Sequence, residues 1–453
     1  LEVANDISAG QLTMLADNMA IATGAPALIV PGGSVRLLPF TAGRAITLGG
    51  EVAGTLSLST AELAAIGGAG VDGTTNPATV LRIGAGLSGD IRAGDITVAG
   101  DVDLGGRVLA LEIFAGGDLT GAGAITVGDF GAVAGGNLVL DGANAVARLA
   151  GITDTTLVNG QALGAVSLWG GTRNSDPLGL APARETDRLE FRNTAPALTV
   201  AGSVLASGSG GLVLTQTGDL TVNANRWIAA EAGTLQVNVT GSLTNNGTLV
   251  AAPIALNAGG PDSHVLAGGG TNNGTIALGL DATPAPDGTR IAGIATNNGL
   301  MVARTIAGIT DNAGALITGT GIAGQFGTVF VGDRTVAGAL VNTGTIIGDV
   351  TADSIENQAG GRILGGTIRA TAGDIANAGV MLGTAIEAQG SVLQNGGSMG
   401  AGGGSATLFG RMALAPVLPL PAGGRMDVQP VYVDDVVAGI VALWLASDWP
   451  MHD

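Results

Sequence analysis

The strongest constraint on this chain is a repeat in its second half: an apolar strand, then Asn, one residue, Gly, and β-branched or aliphatic residues. It reads Asn245-Asn246-Gly247-Thr248-Leu249, Asn272-Asn273-Gly274-Thr275-Ile276, Asn297-Asn298-Gly299-Leu300-Met301, Asn312-Ala313-Gly314-Ala315-Leu316 and Asn342-Thr343-Gly344-Thr345-Ile346. Weaker copies start at Asn357, Asn377 and Asn395. A unit this small cannot bury its own apolar face and must stack on copies of itself. From about Gly43 onward, short alternating segments recur, among them Ala45-Ile46-Thr47-Leu48, Asp95-Ile96-Thr97-Val98 and Asn137-Leu138-Val139-Leu140. Period-two alternation is the pattern of half-buried strands, with Gly, Asn and Asp supplying turns. New strands begin near Leu212, Leu220, Ile228, Leu235 and Leu243. Three of them would complete a coil of roughly 20 to 24 residues.

Two architectures absorb many short strands with Gly-rich turns. In an antiparallel array, Asn246-Gly247 and Asn273-Gly274 would be hairpin turns. In a parallel β-helix they would be corners, and Asn245, Asn272, Asn297 and Asn342 would stack their amides, each donating to the next. The composition favours the parallel coil. Only 3% of residues are aromatic while 46% are hydrophobic and 80 are Gly, so the side chains suit a thin core. An antiparallel array would also have many edges to protect. The intervals between Asn motifs are uneven, which predicts different corners or insertions that leave the coil.

The expected fold is therefore all-β, a parallel β-helix (β-solenoid) over residues 43–404, preceded by N-terminal strands, a cap or the start of the solenoid at 1–42. A charged insertion at 169–196 should project from the coil, because Trp169, Arg173, Asp176, Arg184, Glu185, Asp187 and Arg188 crowd there. After Gly404 the character changes: Pro416, Pro419, Pro421 and Pro430 precede the stretch from Val431 to Leu443. A non-solenoid tail at 405–453 with an amphipathic helix is expected. Ser59 and Glu62 have capping-box spacing before Leu63, which predicts one helical turn.

The stretches Ala45–Leu63, Gly94–Val98, Asp141–Ala147 and the Asn-x-Gly-x-Ile units resemble the interior of filamentous-haemagglutinin-like adhesins of the two-partner-secretion type. The resemblance covers roughly residues 40 to 400 and rests on repeat style. It implies a right-handed parallel β-helix, export through an outer-membrane transporter, and a secreted or bacterial cell-surface location with a glycan or protein receptor. The family's N-terminal secretion domain, with its Asn-Pro-Asn-Gly motif, is missing, so the chain would be a shaft segment. In the tail, Gln429–Val436 is similar to a late segment of atypical short-chain dehydrogenases and nucleotide-sugar epimerases. There it follows a Rossmann domain, which this chain does not contain, and no activity is carried over.

Charge and chemistry narrow the function classes. The basic residues are all arginine, and a net charge of -18 repels phosphate backbones and anionic membranes. Nucleic-acid binding is not expected. The longest uncharged apolar run, Val436 to Ala446, is too short to span a bilayer. The chain has no cysteine, which removes disulfides and thiolate metal sites and fits export to an oxidising space. No signal peptide is visible and the chain does not begin with Met, as in an internal fragment or processed product.

Gly84-Ala85-Gly86-Leu87-Ser88-Gly89 matches a dinucleotide fingerprint as text, but with 80 glycines such matches arise by chance. Gly67–Asp72 matches one calcium nonapeptide, whose sites need tandem copies. Gly100-Asp101 and Gly117-Asp118 read as turn starts in which Asp bonds its own backbone. His264 reads as a solvated loop histidine, and Asp434-Asp435 as stabilising a helix start. No catalytic residue, cofactor or metal is expected. The function expected is a non-enzymatic rod presenting loops for attachment, with 169–196 the candidate partner-binding segment. The competing reading is a β-helix polysaccharide lyase or hydrolase, which would need clustered carboxylates.

Overall fold

The computed structural model describes residues 1–401 except 4, 24–26, 71, 87–90, 150–151, 154–156, 159–160, 163–164, 167, 171–186, 252–262, 280–287, 319–327 and 331–338. The described chain is all-β, with many parallel strands and one short helix. It forms two compact units, one over residues 1–251 and 263–275 and one over residues 276–401. The tail at 405–453, with its expected helix, lies outside the described residues.

In the first unit, strands separated by one repeat pair in parallel and in register. Leu212 pairs with Leu235, Leu220 with Leu243, and Ile228 with Leu249. The strand following the first two in each set is thus the third of a repeat, as the spacing predicts. Repeats here are commonly 23 residues apart. Along each strand, alternate Leu, Val and Ile side chains are buried. Arg188–Asn193 and Gly211–Gln216 show this alternation, with Leu189, Phe191, Leu212 and Leu214 fully sealed. Parallel pairing begins well before residue 43, because Gln11–Leu15 pairs with Ser34–Leu38, which pairs with Ala78–Ile83.

The one helix is Thr60–Ala64, capped as the sequence predicts: Ser59 accepts from the Glu62 amide, and Glu62 Oε2 accepts from the Ser59 amide at 2.8 Å. The other oxygen of the same carboxylate accepts from the Ile21 amide at 2.9 Å, tying the turn to the N-terminal strands.

The second unit repeats on a shorter and less even period. Leu316, Ile346, Ile363 and Met381 form one in-register buried column, and Ile355 pairs with Ile375. Its Asn residues lie 15, 30, 15 and 20 residues apart. All of them share one column, so uneven spacing reflects unequal lengths of chain between its members and not different corners.

Two expectations need correction. Segment 169–196 does not leave the sheet at its ends. Leu168–Gly170 pairs in parallel with Val204–Ala206, and Arg188–Asn193 pairs with Leu138–Leu149 and Gly211–Gln216. The apolar alternation of Leu189 and Phe191 draws that leg into the sheet, and the Phe191 ring stacks on Phe130 with centroids 5.7 Å apart. His264 is likewise no loop residue: it opens the strand His264–Asn272, with Nε2 3.1 Å from Asn238 Oδ1.

Candidate functional site

Three constellations carry the polar chemistry of the described residues. The first is the Asn column. Asn245, Asn272, Asn297 and Asn342 are all fully buried. In the first unit, Asn245 Nδ2 donates to Asn272 Oδ1 at 2.7 Å. In the second unit, Asn297 donates to Asn312, Asn312 to Asn342, Asn342 to Asn357 and Asn357 to Asn377, at 2.6 to 2.8 Å. Each amide also donates to a nearby carbonyl, as Asn342 does to Gly344 O at 3.2 Å. A buried amide is costly unless satisfied, and here it is satisfied by its neighbours in the adjoining repeats together with carbonyls of its own motif.

The glycine of the motif has a different reason from a hairpin's. A Cβ on Gly344 would lie 2.0 Å from Gly314 O, so the corner closes on the backbone of the preceding repeat. Close approach, not a left-handed turn, demands Gly there.

The second constellation was not anticipated. Arg36, Arg82 and Glu112 occupy the same register position on three successive parallel strands and are 0 to 2% exposed. Val35, Leu37, Leu81, Ile83, Leu111 and Ile113 beside them fill the interior, so the charges stand on the outer face. That face is covered. Ala85, Phe114 and Val133 cluster there with Ile91 and Leu205 packed against them, and Ala85 and Ile91 form an antiparallel bridge. Arg82 Nε donates to Glu112 Oε2 at 2.7 Å, a second guanidinium nitrogen lies 2.5 Å from the same oxygen, and the guanidinium sits 5.2 Å from the Phe114 ring centroid. Arg92 Nε donates to Pro39 O at 3.0 Å. Arg82 Nη1 also lies 3.5 Å from Gly86 O, so the sealed ion pair reaches the chain that follows its own strand. The sequence signal was a repeated triplet, Val35-Arg36-Leu37, Leu81-Arg82-Ile83 and Leu111-Glu112-Ile113. Alternation alone assigns those charges to solvent.

The third is the charged segment. Arg173, Asp176, Arg184 and Glu185 lie outside the described residues, and of Trp169 only the strand backbone is described. Asp187 is buried, whereas the exposed Arg188 pairs with Glu190 and donates its amide to Asn137 Oδ1 at 3.0 Å. Of the predicted residues, the structure thus places Asp187 in the interior and pairs Arg188 with Glu190.

Acidic corners do more than start turns. Asp95 Oδ1 accepts from the Asp118 amide, Asp118 Oδ1 from Asn137, and Asp101 Oδ1 from Ala124, each at 2.9 Å. These carboxylates link adjoining repeats, a role beyond the turn starts expected of Asp101 and Asp118. Asp72 does make its own turn, accepting from the Thr74 hydroxyl and amide. Among the described residues no three His, Asp or Glu side chains are grouped to hold a metal ion.

Two carboxyls have a defined acid response. Asp17 is held below the usual carboxylate range first by the Thr41 hydroxyl, then by the Thr41 amide, with Arg44 adding attraction. Asp72 is lowered by the Thr74 hydroxyl and then its amide. A depressed folded value means stability present above the unfolded pKa of about 3.9 and lost as pH falls through the folded value. Thr41→Val should raise the Asp17 titration midpoint toward about 3.9. Carboxyl NMR would read this directly, and an unmoved midpoint would show that Thr41 is not the cause.

Compared with protein-family profiles, curated proteins and solved structures, the chain matches none of them.

Proposed function

We propose that the parallel strands are the walls of a right-handed β-helix, and that this coil is a non-enzymatic rod of a secreted bacterial surface protein. Right-handed crossovers are the near-universal choice for parallel strands. The observation that carries the reading is the Asn column. It stays in register while the chain between its members changes from 15 to 30 residues. A scaffold with that property holds its core constant and releases variable segments from its side, which is what a presenting rod requires. The repeat style shared with filamentous-haemagglutinin-like adhesins supports the same conclusion, as does a cysteine-free, acidic chain. On this reading, residues 171–186, between the paired ends of the charged segment, are offered to a glycan or protein receptor on a host or neighbouring cell, with Arg as the anchoring type.

The test is attachment. Replacing residues 171–186 by a short Gly-Ser linker should lower binding of the purified chain to cells or immobilised glycans by about tenfold, the equivalent of 1.4 kcal/mol. Far-UV circular dichroism should be unchanged. Full attachment by the replaced chain would refute the assigned role of this segment. Incubation with pectin-type polysaccharides should yield no unsaturated product; its appearance would move the protein to the lyases.

A further inference from the structure

The last described repeat of the second unit is open in a way its other described repeats are not. Val392 stands in register with Ile375, which is fully buried, yet Val392 is 45% exposed. Its neighbour Leu393 is 46% exposed. Val392–Gln394 pairs with Ile375–Asn377, and Ser398–Ala401 with Val380–Gly383. Among the described residues no strand is paired on the far side of Val392–Gln394 or Ser398–Ala401, and such an edge carries backbone donors and acceptors of the kind that recruit another chain. Stacked repeats need a terminal cover with a polar outer face to stay soluble.

We propose that residues 431–445 of the same chain cover this end, with Val392 and Leu393 beneath them. The segment begins only about thirty residues beyond Ala401, and an extended chain advances roughly 3.3 Å per residue, so reach is ample. Its composition suits the task. From Val431 to Leu445 the chain carries Val431, Val433, Val436, Val437, Ile440, Val441, Leu443 and Leu445, with Asp434 and Asp435 as its only charges. The Asn-x-Gly motif, by contrast, does not recur between Asn395 and Asp453. The inference stands whether or not the rod is an adhesin.

Because the native chain has no cysteine, introduced pairs can be read without background. Full-length chains carrying Leu393→Cys together with Val433→Cys, Val437→Cys or Val441→Cys would be oxidised and run without reductant. A monomeric, internally cross-linked product from at least one pair is expected. Disulfide-linked dimers as the main product would overturn the proposal in favour of a second copy on this end. The single variant Leu393→Cys supplies a measurement independent of pair geometry. Its maleimide labelling should be at least about tenfold slower than that of Gln389→Cys, as burial protects a site that reacts only on local opening. Equal labelling rates would overturn the proposal.

Discussion

Replacing Glu112 by Ala is expected to destabilise the first unit by about 3–5 kcal/mol, the usual result of removing one partner from a buried ion pair. The loss is not the worth of the pair itself. Two desolvated charges attract strongly but have each given up water, and the balance is near zero. Deleting the carboxylate leaves the Arg82 guanidinium buried, with Arg36 beside it in the register. Like charges at neighbouring positions then repel in a medium of low permittivity. Hydrogen exchange across Ala78–Ile83 and Val108–Ala115 is the suitable readout, because a chain of two units need not unfold in one step. The double change Arg82→Met with Glu112→Leu should recover most of the loss, since apolar replacements of buried ion pairs are often neutral or better. A Glu112→Ala variant within about 1 kcal/mol of the parent would show that water reaches the pair.

Asn342→Leu should cost the second unit about 2–6 kcal/mol, from two buried groups left unsatisfied at about 1–3 kcal/mol each. Asn342 accepts from Asn312 Nδ2 at 2.6 Å and donates to Asn357 Oδ1 at 2.7 Å, and Leu can do neither. Asn342→Asp separates the two halves of this role. It can still accept from Asn312, but it meets Asn357 Oδ1 with another oxygen, so it should also destabilise. Protection should fall first at Gly344 and Thr345, whose amides donate to Asn312 O and Gly314 O. Unchanged exchange there in both variants would mean that the column adds nothing to cohesion.

Much of this architecture was legible because it depends on short-range patterns repeated many times. Strand starts at Leu212, Leu220, Ile228 and Leu235 follow from alternation, and the turn at Ser59 from two side chains three residues apart. Asn stacking was legible too, since no other residue type so readily both accepts and donates at a corner. Arg36, Arg82 and Glu112 were not. Their proximity comes from parallel pairing across repeats of unequal length, and their burial from apolar residues packed on that face, Ala85, Ile91 and Phe114 among them. A period-two rule sees only which face a residue takes, never whether that face is later roofed. His264 and the Arg188–Asn193 leg were misplaced for the opposite reason: charge and isolation outweighed the apolar alternation that in fact draws both into strands.

Every described link in the Asn column runs the same way, from the earlier residue's Nδ2 to the later residue's Oδ1. Amide dipoles aligned head to tail add instead of cancelling, and each polarises the next. In the second unit the column therefore has an electrical direction, with its positive pole toward the repeat containing Asn377. Reversing one amide would set two donors against each other on one side and two acceptors on the other, so the direction is a collective property of the row.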